Sequence, residues 1–196
     1  MVRSPVFFLF LVLAAAAAQV GCGYNASIAA DERVKAAWAN VENVYQRRAD
    51  LIPNLVATVK GAAAHEEKVL SEVTTARAQA TQVRIDAKDL DDPDKLRAFE
   101  NAQAQLSASL GRLLAVSENY PDLKANASFR DLQAQIEGTE NRIAVERRRY
   151  NEAVAEYNST VRQFPTSCGA RMAGLKPRPT FQATTPGAER APEVKF

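Results

Sequence analysis

The stretch VKAAWANVENVYQRRADLIPNL, residues 34–55, places large apolar side chains at alternating steps of three and four residues. That spacing puts them on one face of an α-helix, and such a helix is unstable until the face is buried. The same stepping, which we call an apolar seam, continues from Val34 to Val83. Two further seams run from Leu96 to Tyr120 and from Leu132 to Phe164. Three seams predict an all-α fold.

The composition agrees with a helical domain and argues against nucleic acid as a partner. A chain of 196 residues can form one domain with a core plus appendages. Its 25 basic and 23 acidic residues are interleaved, as on a solvated helical surface. A nucleic-acid-binding chain would instead concentrate basic residues on one face.

Proline placement divides the chain into helices. Within residues 28–164, three prolines mark helix boundaries: Pro53, Pro93 and Pro121. Asp92 is a predicted helix cap with Pro93 at the first helical position, where the missing N–H costs nothing. Asn126 is the predicted cap of the last helix, which spans about residues 127–163.

Pro53 leaves two interpretations open. The first seam keeps its phase on both sides of Pro53, which favours one kinked helix. Asp50 could instead cap a new helix with Pro53 in its first turn. We favour the break, which gives an antiparallel up-and-down bundle of four long helices over residues 28–164.

The last 32 residues have a different composition. They hold five of the nine prolines and three of the eight glycines. Such a segment cannot continue a long helix. We predict an extended, Pro-rich tail over residues 165–196.

The N-terminus has the pattern of an export signal. One charge, Arg3, precedes the uninterrupted apolar run VFFLFLVLAAAAA at residues 6–18. Thirteen residues match a signal-peptide core and fall short of a spanning helix. Gly21 and Cys22 then resemble a bacterial lipobox, although Gln19 departs from it. We predict a signal peptide over residues 1–21, lipidation of Cys22 and a tether over residues 22–27.

Two alternatives to lipidation stay open at this point. Extended through Val20 and Gly21, the apolar run could remain uncleaved as a membrane anchor. Cleavage near the alanines could instead release a soluble protein. Acyl chains on Cys22 would suffice as the sole attachment, because multiple chains give stable membrane binding where one does not.

Longer blocks resemble the LemA family. They are RRADLIPNLVATVKGAAAHEE (47–67), LGRLLAVSENYPDLKANASF (110–129), EGTENRIAVERRRYNEAVAEYN (137–158), LKPRPTF (175–181) and APEVKF (191–196). The resemblance implies a helical bundle held at a bacterial membrane by its N-terminus, with the bulk outside the lipid. Many members keep an uncleaved N-terminal helix, and this chain departs from them by ending its apolar run at Gly-Cys. One relative helps to build magnetosome membranes, which implies a role in membrane organisation by analogy.

Motifs for catalysis are missing from the sequence. His65 is the only histidine, and Val69 occupies the position where a zinc-protease helix carries its second histidine. The chain has no nucleophile-elbow, phosphate-loop or dinucleotide-binding motif. The family brings no catalytic residue to carry over. We therefore predict no catalytic residue, no metal site, no cofactor and no small-molecule substrate.

Polar residues near the seams form the candidate partner surface. They are Arg47, Arg48, Asn54, Glu140, Asn141, Arg142, Arg147, Asn151 and Asn158. One interpretation is a polar network that fixes helix register, with Glu140 paired to Arg147 two turns away. The other is a groove that receives a partner peptide or helix.

The combined hypothesis is a non-enzymatic scaffold or adaptor in the bacterial cell envelope. The chain would be lipid-anchored to the cell membrane or outer membrane, with its bulk facing the periplasm or the cell exterior. Its partners would be the membrane, through the N-terminus, and another envelope protein. The alternative is an enzyme or enzyme subunit that acts on envelope material.

Overall fold

A computed structural model describes residues 5–63 and 65–182, with side chains from residue 23 onward. Over these residues the fold is all-helical, and four of the helices are long, which confirms the predicted fold class. The elements are α1 (Pro5–Ala62), α2 (Glu67–Gln82), a 3₁₀ turn (Ala87–Asp89), α3 (Pro93–Ser117), α4 (Pro121–Ala125), α5 (Ala127–Arg162) and α6 (Thr166–Met172).

Two helix starts follow the predicted capping chemistry. Helix α3 begins at Pro93, directly after Asp92. Helix α5 begins after Asn126, whose side-chain Oδ1 accepts a hydrogen bond from the Phe129 amide at 3.2 Å. This bond satisfies an amide that has no partner within the helix, as an N-cap should.

The predicted break at Pro53 is wrong. Helix α1 continues through Pro53 to Ala62, and the chain turns between α1 and α2 instead. Pro53 has no N–H to donate to the Ala49 carbonyl, which lies one turn earlier. Arg77 of α2 supplies the missing donor, because its Nε–H bonds the Ala49 oxygen at 2.7 Å. A proline inside a helix is tolerated here because a neighbouring helix satisfies the carbonyl that it leaves without a donor.

The chain divides into two compact units, and helices α1 and α5 contribute to both. The second unit contains described residues 46–85, 94–140 and 180–182, with parts of α1 and α5 and all of α2 and α3. Helices α2 and α3 run antiparallel, since Ala80 meets Gln103 and Glu72 meets Arg112. The core buries residues on all four of these helices, including Ile52, Leu55, Val59, Val73, Leu106, Leu113, Phe129 and Ile136.

The first unit contains described residues 23–45, 86–93 and 141–179. Its parts of α1 and α5 run antiparallel: Arg33 pairs with Glu156 at 3.0 Å, and the Trp38 ring meets the Tyr150 ring edge-on. The ring centroids are 5.5 Å apart, within the range that favours T-shaped aromatic pairs. Both rings are buried.

The C-terminal tail is only partly extended. It begins with α6 and continues without regular secondary structure over residues 175–182. The third seam also ends earlier than predicted. Phe164 is 84% exposed, because α5 stops at Arg162 and the buried positions step from Val154 through Tyr157 to Val161.

The bond from Arg77 to the Ala49 carbonyl gives the first prediction. The Arg77→Met variant keeps an aliphatic stem and removes the donor, so the Ala49 carbonyl loses its partner. We expect the free energy of unfolding to fall by about 1–2 kcal/mol. Urea unfolding of the full chain in mild detergent, followed by far-ultraviolet circular dichroism, measures this change.

The matched control places Arg77→Met in a Pro53→Ala background. The new amide at position 53 then donates to the Ala49 carbonyl, and the loss should shrink to below about 0.5 kcal/mol. Equal losses in the two backgrounds would contradict the explanation for the unbroken helix.

Candidate interaction surface

Arg48 lies at the centre of a buried polar network in the second unit. Its side chain is 1% exposed. One terminal nitrogen, Nη1, donates to the Glu140 carboxylate and to the Ser107 hydroxyl, the latter at 2.7 Å. The other, Nη2, donates to the Gln103 side-chain oxygen at 2.6 Å. The fork of the guanidinium therefore links α1 to α3 and α5.

Gln103 extends this network to the fourth helix. Its side-chain amide donates to the Ala80 carbonyl on α2 at 3.2 Å, while its oxygen accepts from Arg48. The segments of α1, α2, α3 and α5 in the second unit are thus joined through two side chains. A buried charge needs such partners, because an unpaired guanidinium in an apolar core is strongly destabilising.

This geometry corrects two predictions. Arg48 is inaccessible and belongs to an internal network, so it is not part of a partner surface. The predicted partner of Glu140 was Arg147 on the same helix, yet its ion pair is with Arg48 across the core. Of the residues in the interpretation that a polar network fixes helix register, Glu140 belongs to this internal network.

A second polar cluster lies in the first unit and holds residues 175–179. Arg178 forms an ion pair with Asp31 at 2.8 Å, and the two side chains are 8% and 7% exposed. The guanidinium also lies over the Tyr157 ring, 4.9 Å from its centroid. That distance is within cation–π range. We call this cluster, with Asn158, the C-terminal clasp.

Asn158 completes the clasp through backbone hydrogen bonds. Its side-chain amide donates to the Arg178 carbonyl and its oxygen accepts from the Arg178 N–H, both at 2.8 Å. The Tyr157 hydroxyl donates to the Lys176 carbonyl at 2.8 Å. Asn158 thus pairs with an extended segment as a neighbouring strand would, which makes it an internal anchor rather than a partner contact.

Tyr150 borders the clasp and stays neutral. Burial raises the pKa of the Tyr150 hydroxyl to about 12, and the nearby positive charge of Arg178 lowers that pKa in part. A phenol with this pKa is protonated throughout the physiological range. The packed pair of Trp38 and Tyr150 therefore carries no charge at physiological pH.

Comparison with known proteins identifies the family. The profile of the LemA family matches residues 37–196. The chain belongs to the LemA family. It is 27% identical over 205 residues to magnetosome protein MamQ 2 of Paramagnetospirillum magneticum, an alignment covering 94% of this chain and 75% of the relative. It is also 26% identical over 144 residues to protein LemA of Metamycoplasma hominis, covering 74% of this chain and 62% of that relative.

The other candidate residues of this LemA-family protein differ in exposure. In the second unit, Arg47 and Asn54 are exposed on α1, two helical turns apart and therefore on one face. In the first unit, Asn141 and Arg142 are exposed on α5. Arg147 and Asn151 are half-buried, and each has an interaction partner. Their role as a partner surface stays a prediction.

The N-terminal predictions fall outside the described side chains. This applies to the apolar run at residues 6–18 and to Cys22, although the backbone of residues 5–22 belongs to α1. Over residues 23–63 and 65–182, no helix is both long enough and apolar enough to cross a membrane. The sequence analysis predicted a tether over residues 22–27. In the structure residues 23–27 belong to helix α1.

The sequence pattern did not reveal the contact between α1 and α6. A Cβ atom on Gly169 would lie 2.4 Å from the Tyr24 backbone nitrogen, so only glycine allows this approach. A Cβ atom on Gly23 would lie 3.1 Å from the Thr166 Cα, a tight but less severe contact. The Ser27 hydroxyl donates to the Gly23 carbonyl at 2.9 Å, one turn earlier. The sequence does contain small residues on both segments. These segments lie about 140 positions apart, and no periodic pattern in the sequence connects them.

The Arg48 network gives the second prediction. The Arg48→Met variant removes the shared donor and leaves three acceptors on α3 and α5 without it. We expect a loss of about 2–4 kcal/mol in the free energy of unfolding, measured by urea titration in detergent. The adjacent Arg47→Met variant is the matched control and should stay within about 0.5 kcal/mol of the wild type, because Arg47 is exposed. Similar losses for the two variants would contradict the network.

Proposed function

We propose that this LemA-family protein is a membrane-attached, extracytoplasmic scaffold or adaptor of the bacterial cell envelope, without enzymatic activity of its own. Its N-terminus holds it to the bilayer through acyl chains on Cys22. The helical units project from the membrane and bind another envelope protein.

One observation carries the attachment. The apolar run at residues 6–18 leads into Gly21-Cys22, and the helix that begins at Pro5 continues to Ala62. Cleavage before Cys22 would therefore leave the lipidated residue at the start of the helix that continues into the packed part of α1. Lipid chains on Cys22 would begin one residue before Gly23, which lies against Thr166 of α6.

The adaptor role is supported by the contrast between polar side chains that form internal bonds and polar side chains that are exposed. Arg48, Arg178 and Asn158 are engaged in internal bonds that hold helices or the C-terminal segment in place. Arg47 and Asn54 instead present polar groups to solvent on one face of α1. A rigid helix with exposed polar groups is suited to recognising a protein partner. The relatives named as magnetosome proteins agree with a role of this kind.

The third prediction concerns Cys22. We expect the wild-type protein to fractionate with membranes and its mature N-terminal peptide to begin at a lipid-modified Cys22. The Cys22→Ala variant should lose the modification and keep its signal segment, because no acceptor thiol remains. Mass spectrometry of the N-terminal peptide and membrane fractionation measure both effects.

Cys168→Ala is the matched control, since Cys168 is an exposed free thiol and should not affect processing. An intact Met1 or an unmodified Cys22 in the wild type would contradict the lipid anchor. Recovery of the untagged wild type among soluble cytoplasmic proteins would contradict membrane attachment altogether.

The fourth prediction concerns the partner. Charge reversal in Arg47→Glu combined with Asn54→Ala should reduce recovery of the cross-linked envelope partner by about fivefold or more, since both side chains lie on the proposed contact face. In-cell cross-linking followed by purification of the tagged chain measures this reduction.

Arg130→Glu is the control, because Arg130 is an exposed arginine of the second unit that lies on a different helix, α5. Circular dichroism should show all variants equally folded. Undiminished recovery for the double variant would contradict the contact surface, and turnover of envelope material by the purified protein alone would favour an enzyme.

A further inference from the structure

Three large apolar side chains are exposed among the residues whose side chains are described. They are Tyr24 at 41%, Phe164 at 84% and Met172 at 72% exposure. All three belong to the first unit. Single exposed apolar residues are common, but here they occur on two segments that contact each other.

Those segments are the start of the described part of α1 and the region around α6. Gly169 of α6 touches the backbone of Tyr24 so closely that a methyl group would not fit. Phe164 precedes α6 by two residues, and Met172 is its last residue. The exposed apolar side chains therefore belong to the two segments whose contact holds α6 beside Gly23 and Tyr24.

Helix α6 has a buried side and an exposed side. Gly169 and Ala170 are buried, whereas Cys168, Arg171 and Met172 are exposed. The spacing of the exposed residues, three and four positions apart from Cys168, places them on one helix face. This face combines an apolar side chain with a positive charge.

The sequence on either side of α6 carries charges of one sign. Between Glu156 and Glu189 the sequence contains no acidic residue, and none occurs from Met1 to Ala30. Arg162 and Arg171 are exposed in this region. Exposed cations beside exposed aromatic and aliphatic side chains match the surface of an anionic bilayer, where phosphates meet acyl chains.

We propose that Tyr24, Phe164, Met172, Arg162 and Arg171 form a membrane-facing surface, here called the basal surface, that rests on anionic phospholipid. Phe164 and Met172 enter the boundary between headgroups and acyl chains, and the two arginines bind lipid phosphates. Tyr24 lies at headgroup level, where tyrosine is favoured. This inference rests on the proposed membrane attachment.

The chain itself brings the basal surface to lipid. The apolar run ends at residue 18, only five residues before Gly23, which is about 7.5 Å along a helix. Acyl chains on Cys22 would begin closer still. Either mode of attachment leaves the bilayer within reach of α6. A second copy of the chain is a poorer occupant, because a symmetric contact would bring the same arginines together.

The experiment uses the full chain reconstituted into vesicles with anionic phosphatidylglycerol and brominated acyl chains. The Phe164→Trp variant places a tryptophan in the basal surface. The Ala39→Trp variant is the control, because Ala39 is exposed on α1 and lies about 24 Å from Gly23 along the helix. The native Trp38 is buried and present in both variants, so the unsubstituted chain provides the baseline.

We expect bromine to quench the added tryptophan in Phe164→Trp and to leave the one in Ala39→Trp unaffected. Adding Arg162→Gln and Arg171→Gln should reduce that quenching by about twofold in anionic vesicles, with a smaller effect in neutral ones. Vesicle flotation is recorded for each sample. Failure of the unsubstituted chain to float with vesicles would overturn both the attachment and the basal surface.

Flotation without quenching at position 164 would overturn the basal surface alone and leave the attachment standing. A blue-shifted tryptophan that is not quenched, and that shifts further as protein concentration rises, would assign this surface to contact between copies. Equal quenching of the two variants would also overturn the proposal, because the whole unit would then be close to lipid.

Discussion

The second unit depends on one buried cation. Arg48 occupies a step of an otherwise apolar seam, between Tyr45 and Ile52, so its charge necessarily enters the core. Its three side-chain acceptors stand on two other helices, and Gln103 relays the network to a third. Apolar packing alone tolerates small slides of one helix along another. A guanidinium with fixed acceptors does not, because a slide would leave buried polar groups without partners.

The need of backbone polar groups for hydrogen-bond partners also explains where the chain departs from simple helical rules. Pro53 removes a donor within α1, and Arg77 of another helix replaces it at Ala49. Residues 175–179 form no helix or sheet, and Asn158 supplies both a donor and an acceptor to the backbone of Arg178. In each case a side chain from a distant segment satisfies a backbone group that local structure leaves open.

Features that depend on local helix geometry could be predicted from the sequence, and features that depend on distant residues could not. The spacing of Val34, Trp38 and Val41 depends on helix geometry alone, and all three are buried as predicted. Asn126 caps α5 for an equally local reason. The unbroken helix at Pro53 depends on a residue 24 positions away, and the burial of Arg48 depends on acceptors 55 or more positions away. No pattern of period 3.6 contains that information. The predicted burial of Phe164 is wrong for a related reason. The apolar spacing continues in the sequence past Arg162, where α5 ends.

The C-terminal clasp has a structural consequence for the first unit. Its parts of α1 and α5 are two helices, and a pair of helices can cover each other on one side only. The 3₁₀ turn, α6 and residues 175–179 belong to the same unit and provide further cover. Asp31 and Arg178 are both almost excluded from water, and Asp31 pairs with Lys35 on its own helix as well as with Arg178, so the charge of Arg178 meets Asp31 only when the C-terminal segment is in place. The clasp thus ties residues 176–178 to α5 and to the start of α1, and α6, which lies between α5 and the clasp in the chain, is held beside Tyr24 through Gly169. The proposed basal surface can therefore be rigid even though α6 comes from a segment whose composition is typical of a flexible tail.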